Sequence, residues 1–190
     1  MLFRSETARA LNGYWSAAHP NPRRAFVALG SNVGDRMAYL SRACKLIDAI
    51  PLTSLVAASK AYESEPAYGI ATSVANAVVE IRTELSPLVL LDELLEVENE
   101  LDRVREPGEE GHGPRTVDCD LVWMEGEFHA GRKLTLPHRG LGERDFVLIP
   151  LADLQNNPSR FLSHYGVDVV DEMARVGRVR AVLGDIPWEA

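Results

Sequence analysis

Runs of apolar residues alternate along the chain with apolar stripes that recur every three or four positions. Short runs bounded by turn residues predict strands, and stripes at the longer spacing predict amphipathic helices. One helix is sharply delimited, because Ser86 and Pro87 form an N-cap and a first helical residue and its stripe continues to about Val104. The predicted order is strand 24–29, helix 37–47, strand 52–62, strand 74–83, helix 87–104 and strand 117–123.

This β-α-β-β-α-β order is typical of the ferredoxin-like split-βαβ fold. The predicted fold class is α+β, an antiparallel sheet with helices packed on one face and a small C-terminal α/β extension. Residues 1–24 are expected to be an N-terminal extension and residues 25–190 a single domain. The C-terminal extension is expected to contain a short helix near 140–145, an apolar run over 146–151, a helix over 168–175 and a strand over 179–183.

Composition mainly serves to exclude classes of protein. With 190 residues, 46% of them hydrophobic, the chain is long enough for one domain with a sizeable core. No apolar run approaches the ~20 residues that span a membrane, and residues 1–24 lack the apolar stretch of a secretory signal. Cys44 and Cys119 lie in apolar surroundings and are expected to be reduced core thiols of a cytoplasmic protein.

The charge distribution points to a small anionic ligand. A net charge of −8 argues against a nucleic-acid binder, which usually carries a basic footprint. Cations nevertheless cluster between residues 103 and 144, and a basic pocket on an acidic protein suits a small polyanion. The cluster comprises Arg103, Arg105, Arg115, Arg132, Lys133, Arg139 and Arg144, with His112 and His138.

The stretch from Gly113 to Leu121 is the most informative part of the sequence. Side chains alternate between the faces of a strand, so Asp118 and Asp120 are predicted to share one face with Thr116. The opposite face, directed to the core, is predicted to carry Val117, Cys119, Leu121 and Trp123. Paired carboxylates can be a merely solvated surface, but they are also what Mg²⁺ binds together with waters and substrate phosphates. With Arg115 able to grip phosphate beside them, the stretch predicts a site for metal-bound polyphosphate.

Three residues of the long helix and its end have two interpretations. Arg103 and Arg105 either complement the helix dipole or contact phosphate from the start of a glycine-rich loop. Glu98 is either a surface or intrahelically paired acid, or a hydrogen-bond acceptor for a ligand.

Asn76, His138 and Phe146 are ambiguous in the same way. The amide of Asn76, within an apolar strand, serves a turn or presents a donor and an acceptor to a heteroaromatic ligand. His138 is a loop histidine unless a ligand uses it, and Phe146 is by default a core residue.

Several motifs taken together resemble one family. Over about residues 24–154 the chain is similar to the 6-hydroxymethyl-7,8-dihydropterin pyrophosphokinases of folate biosynthesis. The Gly-Pro-Arg-Thr-x-Asp-x-Asp string is the most specific part of this resemblance. The segments that carry it are Ala28–Arg36, Tyr62–Pro66, Asn76–Val79, Arg103–Arg105, Gly113–Leu121, Leu134–His138 and Arg144–Leu148.

The resemblance implies transfer of pyrophosphate from ATP to the pterin hydroxymethyl group, with release of AMP. It implies that Asp118 and Asp120 hold two Mg²⁺ ions and that Arg103 and Arg115 stabilise the transferring group. The nucleotide side would be built by Glu98, Arg105, Leu121, Lys133, Thr135, His138, Arg139 and Arg144. The pterin side would be built by Ser64, Glu65, Pro66, Ala67, Asn76 and Phe146, with Asp118 beside them. The implied partners are these small molecules, without nucleic acid or membrane, while association with other folate-pathway enzymes is left open.

Three departures from the family pattern define the alternatives. The loop over 106–114, expected to close as a lid, has Gly111-His112 in place of an Arg-Trp pair, and Arg139 replaces a tyrosine. The segment before Asn76 lacks the usual Pro-Asp and aromatic residue. The alternatives are a non-catalytic nucleotide- or pterin-binding homologue and a pyrophosphokinase for a related heterocyclic alcohol.

Overall fold

The computed structural model describes residues 21–68, 72–101 and 116–189. Its strands are β1 (Arg23–Ser31), β2 (Thr53–Ala58), β3 (Ala61–Ser64), β4 (Val74–Thr83), β5 (Asp118–Met124), β6 (His129–Ala130), β7 (Thr135–Leu136) and β8 (Val179–Gly184). Its helices are α1 (Arg36–Asp48), α2 (Pro87–Glu100), α3 (Asp145–Leu154) and α4 (Pro158–Ser163), with a 3-10 turn at Glu172–Ala174. The predictions for most of the N-terminal extension, for the lid and for Arg103, Arg105 and Arg115 lie outside the described residues.

The main sheet is antiparallel and has the order β5-β1-β4-β3-β8, with β2 also paired to β4. The first strand is therefore central, flanked by β4 and β5, as a split-βαβ arrangement requires. A separate two-stranded ladder joins β6 to β7. The predicted ferredoxin-like fold is confirmed.

The strand predicted over 52–62 is two strands, β2 and β3, which lie end to end beside β4. The break is at Ser59, whose hydroxyl accepts from the Val78 N–H (2.9 Å) and donates to the Lys60 carbonyl (2.7 Å). A side chain thus replaces part of the backbone ladder at this point and divides the predicted strand in two. Both strands remain paired with β4, and the segment 64–68 begins where β3 ends.

Helices cover both faces of the sheet, not one. The predicted pair, α1 and α2, packs on the face formed by Val27, Leu29 and their neighbours, where Cys44 and Cys119 are buried as free thiols. The opposite face carries a second core that contains α3 and α4. Burial raises the pKa of Cys44 to about 12, so that thiol stays protonated at neutral pH.

The C-terminal predictions were partly wrong. The apolar run over 146–151 is itself the helix α3, no helix precedes it at 140–145, and the helix expected over 168–175 is only the short 3-10 turn. A short apolar run does not distinguish a buried strand from a buried helix. The last strand, β8, is confirmed and forms the edge of the sheet opposite β5.

A bulge in β5 changes the side to which Trp123 points. Val27 of β1 is paired with Leu121 and Phe26 with Trp123, so Val122 is an additional residue in the strand. Val117, Cys119 and Leu121 enter the α1–α2 core as predicted. Trp123 is buried, but in the second core beside Phe26, and its predicted face was wrong.

Candidate functional site

Three neighbouring strands place the central polar residues on one face of the sheet. Gly30 of β1 is paired with Asn76 of β4 on one side and with Asp118 of β5 on the other. Two positions further back, Ala28 is paired with Asp120. Directly paired residues of an antiparallel sheet point to the same face, and strands lie ~4.8 Å apart, so the Asn76 and Asp118 backbones are about 10 Å apart. The strand alternation predicted for the two aspartates is thus observed.

Gly30 leaves the middle of this row without a side chain. A Cβ atom at this position would lie 3.5 Å from the Asn76 Oδ1 atom and 3.6 Å from Val74. Those distances are ordinary contacts, so an alanine would fit, but it would occupy the space between the amide and the carboxylate. The glycine therefore keeps open a floor between Asn76 and Asp118.

A cavity of about 680 Å³ opens beside Asp120. It is bounded by Asp120 and Leu121 of β5, the β6–β7 ladder and the loop that precedes α3. Most of the residues predicted for the nucleotide side line it. The lining residues are Tyr68, Leu91, Asp120, Leu121, Arg132, Lys133, Leu134, Thr135, His138, Arg139, Gly140, Glu143 and Arg144.

Arg144 connects this large cavity to a second, smaller one. Its guanidinium Nη1 lies 3.7 Å from the Asp120 Oδ2 atom, and its Cζ lies 5.4 Å from the Tyr68 ring centre and 5.7 Å from that of Phe146. The side chain is only 17% exposed. A largely buried guanidinium in contact with a carboxylate and two rings is a fixed cation at the junction of the two spaces.

The smaller pocket contains most of the predicted pterin set. It measures about 20 Å³ and is lined by Ser64, Glu65, Ala67, Tyr68, Val74, Asn76 and Phe146. Of the predicted set, Pro66 and Asp118 are not among the described residues that line it. The Asn76 amide nitrogen donates to Ser64 Oγ (2.8 Å) and to the Val74 carbonyl (3.0 Å), which fixes its orientation. The amide oxygen of Asn76 therefore points toward Gly30 of β1.

His138 is held in one neutral form. Its Nδ1 accepts from the Gly140 N–H (3.1 Å), so the hydrogen resides on Nε2. Burial, together with the Arg144 and Arg139 cations, outweighs the attraction of Asp118 and lowers the pKa of His138 to about 4. At neutral pH the ring is thus an uncharged hydrogen-bond donor at the cavity wall.

This pKa predicts how stability depends on pH. The unfolded chain binds a proton at His138 near pH 6.5 and the folded chain only near pH 4, so the free energy of unfolding falls as the pH drops through that window. Between pH 7 and pH 5 the wild type is expected to lose about 2 kcal/mol more than His138→Gln, which cannot titrate. Urea unfolding of both proteins at the two pH values measures this difference. Equal losses would contradict the assignment.

Two predicted ligand residues, Glu98 and Lys133, have hydrogen-bond partners within the protein. Glu98 is buried, and its Oε1 accepts from the backbone N–H of Cys119 (2.8 Å), so it covers the outer edge of β5. Within the described part of the chain it does not line the large cavity. Lys133 does line it, and its ammonium donates to Asp92 of α2 (2.7 Å) in an exposed pair.

The carboxylates fit a metal ion only if a ligand completes its shell. Among the described residues no group of three or more His, Cys, Asp or Glu could hold an ion. Asp118 and Asp120 are both partly exposed on one strand face beside the large cavity. Mg²⁺ is commonly bound by one or two carboxylates, waters and substrate phosphates, which is the donor set that this arrangement provides.

Tyr68 and Glu143 were not anticipated. Tyr68 lines both spaces, and its hydroxyl donates to Glu143 Oε1 (3.1 Å). Both lie in irregular segments, where no periodic pattern indicates which residues meet. The one available indication of Tyr68 was that it directly follows Ala67, which was predicted for the pterin side. Val74 lines the small pocket in the segment before Asn76, where this chain lacks the aromatic residue that is usual in the family.

The helices were also compared with the length and apolar character that a membrane span needs. None of those in the described ranges is both long enough and apolar enough to cross a bilayer.

Comparison with known proteins identifies close relatives. Residues 26–156 match the family model described as 7,8-dihydro-6-hydroxymethylpterin-pyrophosphokinase (HPPK). The 2-amino-4-hydroxy-6-hydroxymethyldihydropteridine pyrophosphokinase of Bacillus subtilis is 40% identical over 131 residues, which cover 68% of this chain and 77% of the relative. The enzyme of the same name from Methylorubrum extorquens is 42% identical over 133 residues, covering 69% and 82%.

A solved structure supports the fold. The wild-type Plasmodium falciparum HPPK-DHPS crystal structure with pterin and p-hydroxybenzoate superposes with a TM-score of 0.52 at 13% identity. The match covers 84% of this chain and 46% of that one, so the chain spans about half the length of the larger protein.

Proposed function

Because the chain belongs to the 7,8-dihydro-6-hydroxymethylpterin-pyrophosphokinase family, we propose that it transfers pyrophosphate from ATP to 6-hydroxymethyl-7,8-dihydropterin in folate biosynthesis. The hydroxymethyl oxygen bonds to the β-phosphorus of ATP, and the bond from that phosphorus to the oxygen bridging to the α-phosphate breaks. The products are the pterin diphosphate and AMP, and the alcohol proton is lost.

The observation that carries this proposal is the row Asn76–Gly30–Asp118. It would place a heterocycle-binding amide and a carboxylate on one sheet face, with an open floor between them. Asn76 offers a fixed amide oxygen to the pterin N–H groups, and Phe146 offers a ring for stacking. The large cavity beside Asp120 would receive the triphosphate.

Cations of the large cavity would neutralise the phosphate oxygens. Arg144 is held beside Asp120, and Arg132, Lys133 and Arg139 line the same space. The neutral His138 would donate from Nε2 to a phosphate oxygen without changing its charge at pH 7. Arg103 and Arg115, proposed to stabilise the transferring group, and Arg105, proposed on the nucleotide side, lie outside the described residues. Positioning and charge stabilisation are what phosphoryl transfer asks of a protein.

Asp118 and Asp120 would hold Mg²⁺, for which two ions are proposed from the family resemblance. When bound, Mg²⁺ neutralises phosphate charge and orients the triphosphate. The small pocket would have to widen for a pterin, since its present volume is about 20 Å³. A location in the cytoplasm and association with other folate enzymes stay predictions.

The test is a product assay. Purified protein with ATP, Mg²⁺ and 6-hydroxymethyl-7,8-dihydropterin is expected to release AMP and form the pterin diphosphate in equal amounts, and omission of the pterin is expected to abolish AMP release. Calorimetry with ATP and Mg²⁺ tests the alternative function, a non-catalytic binding homologue. Tight binding without AMP release, at high protein concentration, would support that alternative and overturn the proposal.

A further inference from the structure

A short C-terminal segment, residues 175–179, contacts two opposite walls of the small pocket and connects them. We call these residues the strap. They connect the 3-10 turn to β8 and lie outside residues 26–156, the part matched by the family model. The strap contacts both the start of α3, where Phe146 lies, and the segment that follows β3.

The first attachment is to the start of α3. The Asp145 carboxylate, in a residue only 6% exposed, accepts from the Val179 N–H (2.9 Å) and from Arg175 Nη1 (3.3 Å). The backbone adds two further bonds, from the Asp145 N–H to the Val176 carbonyl (3.1 Å) and from the Val176 N–H to the Glu143 carbonyl (2.9 Å). The two residues on either side of Asp145 are Arg144 and Phe146, so this anchor fixes the backbone from which both side chains project.

The second attachment is to the opposite wall. The Glu65 N–H donates to the Arg178 carbonyl (2.9 Å). Gly177 lies between the two walls, and a Cβ atom there would approach Phe146 Cδ1 to 2.3 Å and the Ala67 Cβ to 3.5 Å. Its φ of +60° also favours glycine. Backbone alone therefore touches the ring and the opposite segment at this point.

We propose that the strap is a positioning element of the substrate site. It sets the separation between the Phe146 ring and the Glu65–Ala67 backbone, and thereby the fit of the planar heterocycle. Asp145, Arg175 and Gly177 are its positioning residues. This inference rests on the proposed function, because it takes the small pocket as the pterin side.

Arg175→Met is the central test, with Arg175→Lys as the conservative variant. The methionine keeps much of the volume but removes the charge beside Asp145. We expect its KM for the pterin to rise about tenfold, which corresponds to ~1.4 kcal/mol, while KM for ATP stays within about twofold. Lysine is expected to recover part of the pterin affinity. Gly177→Ala is expected to weaken pterin binding further, because the new methyl group displaces the Phe146 ring.

Arg82→Met is the matched control. Arg82 lies on β4, does not line either cavity and has a side chain that is 45% exposed, so both KM values should remain unchanged. Calorimetric titration with 6-hydroxymethylpterin gives the same comparison independently of turnover, and urea unfolding at 25 °C verifies that each variant is folded. If Gly177→Ala does not fold, the two Arg175 variants decide.

The outcomes separate the two proposals. A wild type that makes no AMP overturns the proposed function, whatever the variants do. An active wild type, with Arg175→Met that is folded and binds both ligands normally, overturns the strap proposal alone. An equal loss for ATP and pterin also overturns it, because that result indicates general destabilisation. A selective pterin loss that lysine partly reverses supports it.

Discussion

Asp118→Asn is expected to lower turnover by about a hundredfold or more while the fold remains intact. Asp118 is partly exposed on the strand face that also carries Asn76 and Gly30, so an amide of the same shape fits without repacking. The substitution removes one negative charge where a cation and a triphosphate would meet. Loss of a charge-stabilising group in such a site typically costs ~10²-fold or more. Asp120→Asn is expected to act similarly and also to release Arg144, which now lies 3.7 Å away.

AMP release at saturating ATP and Mg²⁺ measures this effect. Glu125→Gln is the matched control, because Glu125 is an exposed acid directly after β5, away from both cavities, and its replacement should leave turnover unchanged. Unfolding in urea verifies that the Asn variants are folded. Turnover of either aspartate variant within about tenfold of wild type would contradict the assignment of the carboxylates as metal ligands.

Trp123→Ala is expected to reduce the free energy of unfolding by about 3–5 kcal/mol. The ring is 2% exposed and lies 5.5 Å from the Phe26 ring, 5.0 Å from that of Phe161 and 5.0 Å from that of Tyr165. Its removal leaves a cavity between β1, β5 and α4 that surrounding rings fill only in part. A domain is typically stable by ~5–15 kcal/mol, so this is a large fraction of the total.

Urea unfolding followed by circular dichroism measures the loss. Phe128→Ala is the control, because Phe128 also contacts Tyr165 but is 65% exposed, so its removal should cost under about 1 kcal/mol. A Trp123→Ala protein as stable as the control would contradict the second core described here, and with it the bulge that turns Trp123 onto that face.

The sequence predicted most reliably what periodicity determines. The strand predicted over residues 74–83 has those bounds, and α1 and β5 agree within one or two residues. The shared face of Asp118 and Asp120 followed from the two-residue repeat of a strand. The bulge at Val122 could not be predicted from this repeat, because an extra residue changes neither the composition nor the local apolar character of the strand. In the C-terminal region the helices expected near 140–145 and over 168–175 were wrong, and the apolar run over 146–151 had been compatible with either strand or helix.

The lining of the large cavity could be predicted in part. Thr135 and His138 of the Leu134–His138 motif line it, and the resemblance had implied both for the nucleotide side, a role that stays a prediction. Contacts between loops could not be predicted, and the contact of Arg144 with the Tyr68 ring is the clearest case. Glu98 illustrates a different limit, because its carboxylate is bonded to the Cys119 backbone N–H. The sequence of the helix alone does not show that a backbone N–H of β5, from another part of the chain, is the hydrogen-bond donor to Glu98.

The alignment of Gly30 with Asn76 and Asp118 has a consequence for inhibitor chemistry. Their spacing is set by two consecutive backbone ladders, which are far stiffer than any side chain. Substitutions in the pocket wall, such as those around Val74, could retune which ring is accepted without moving the acceptor alcohol relative to the phosphate donor. A compound that tethers a pterin to adenosine should therefore have one optimal linker length, shared by homologues whose pterin pockets differ.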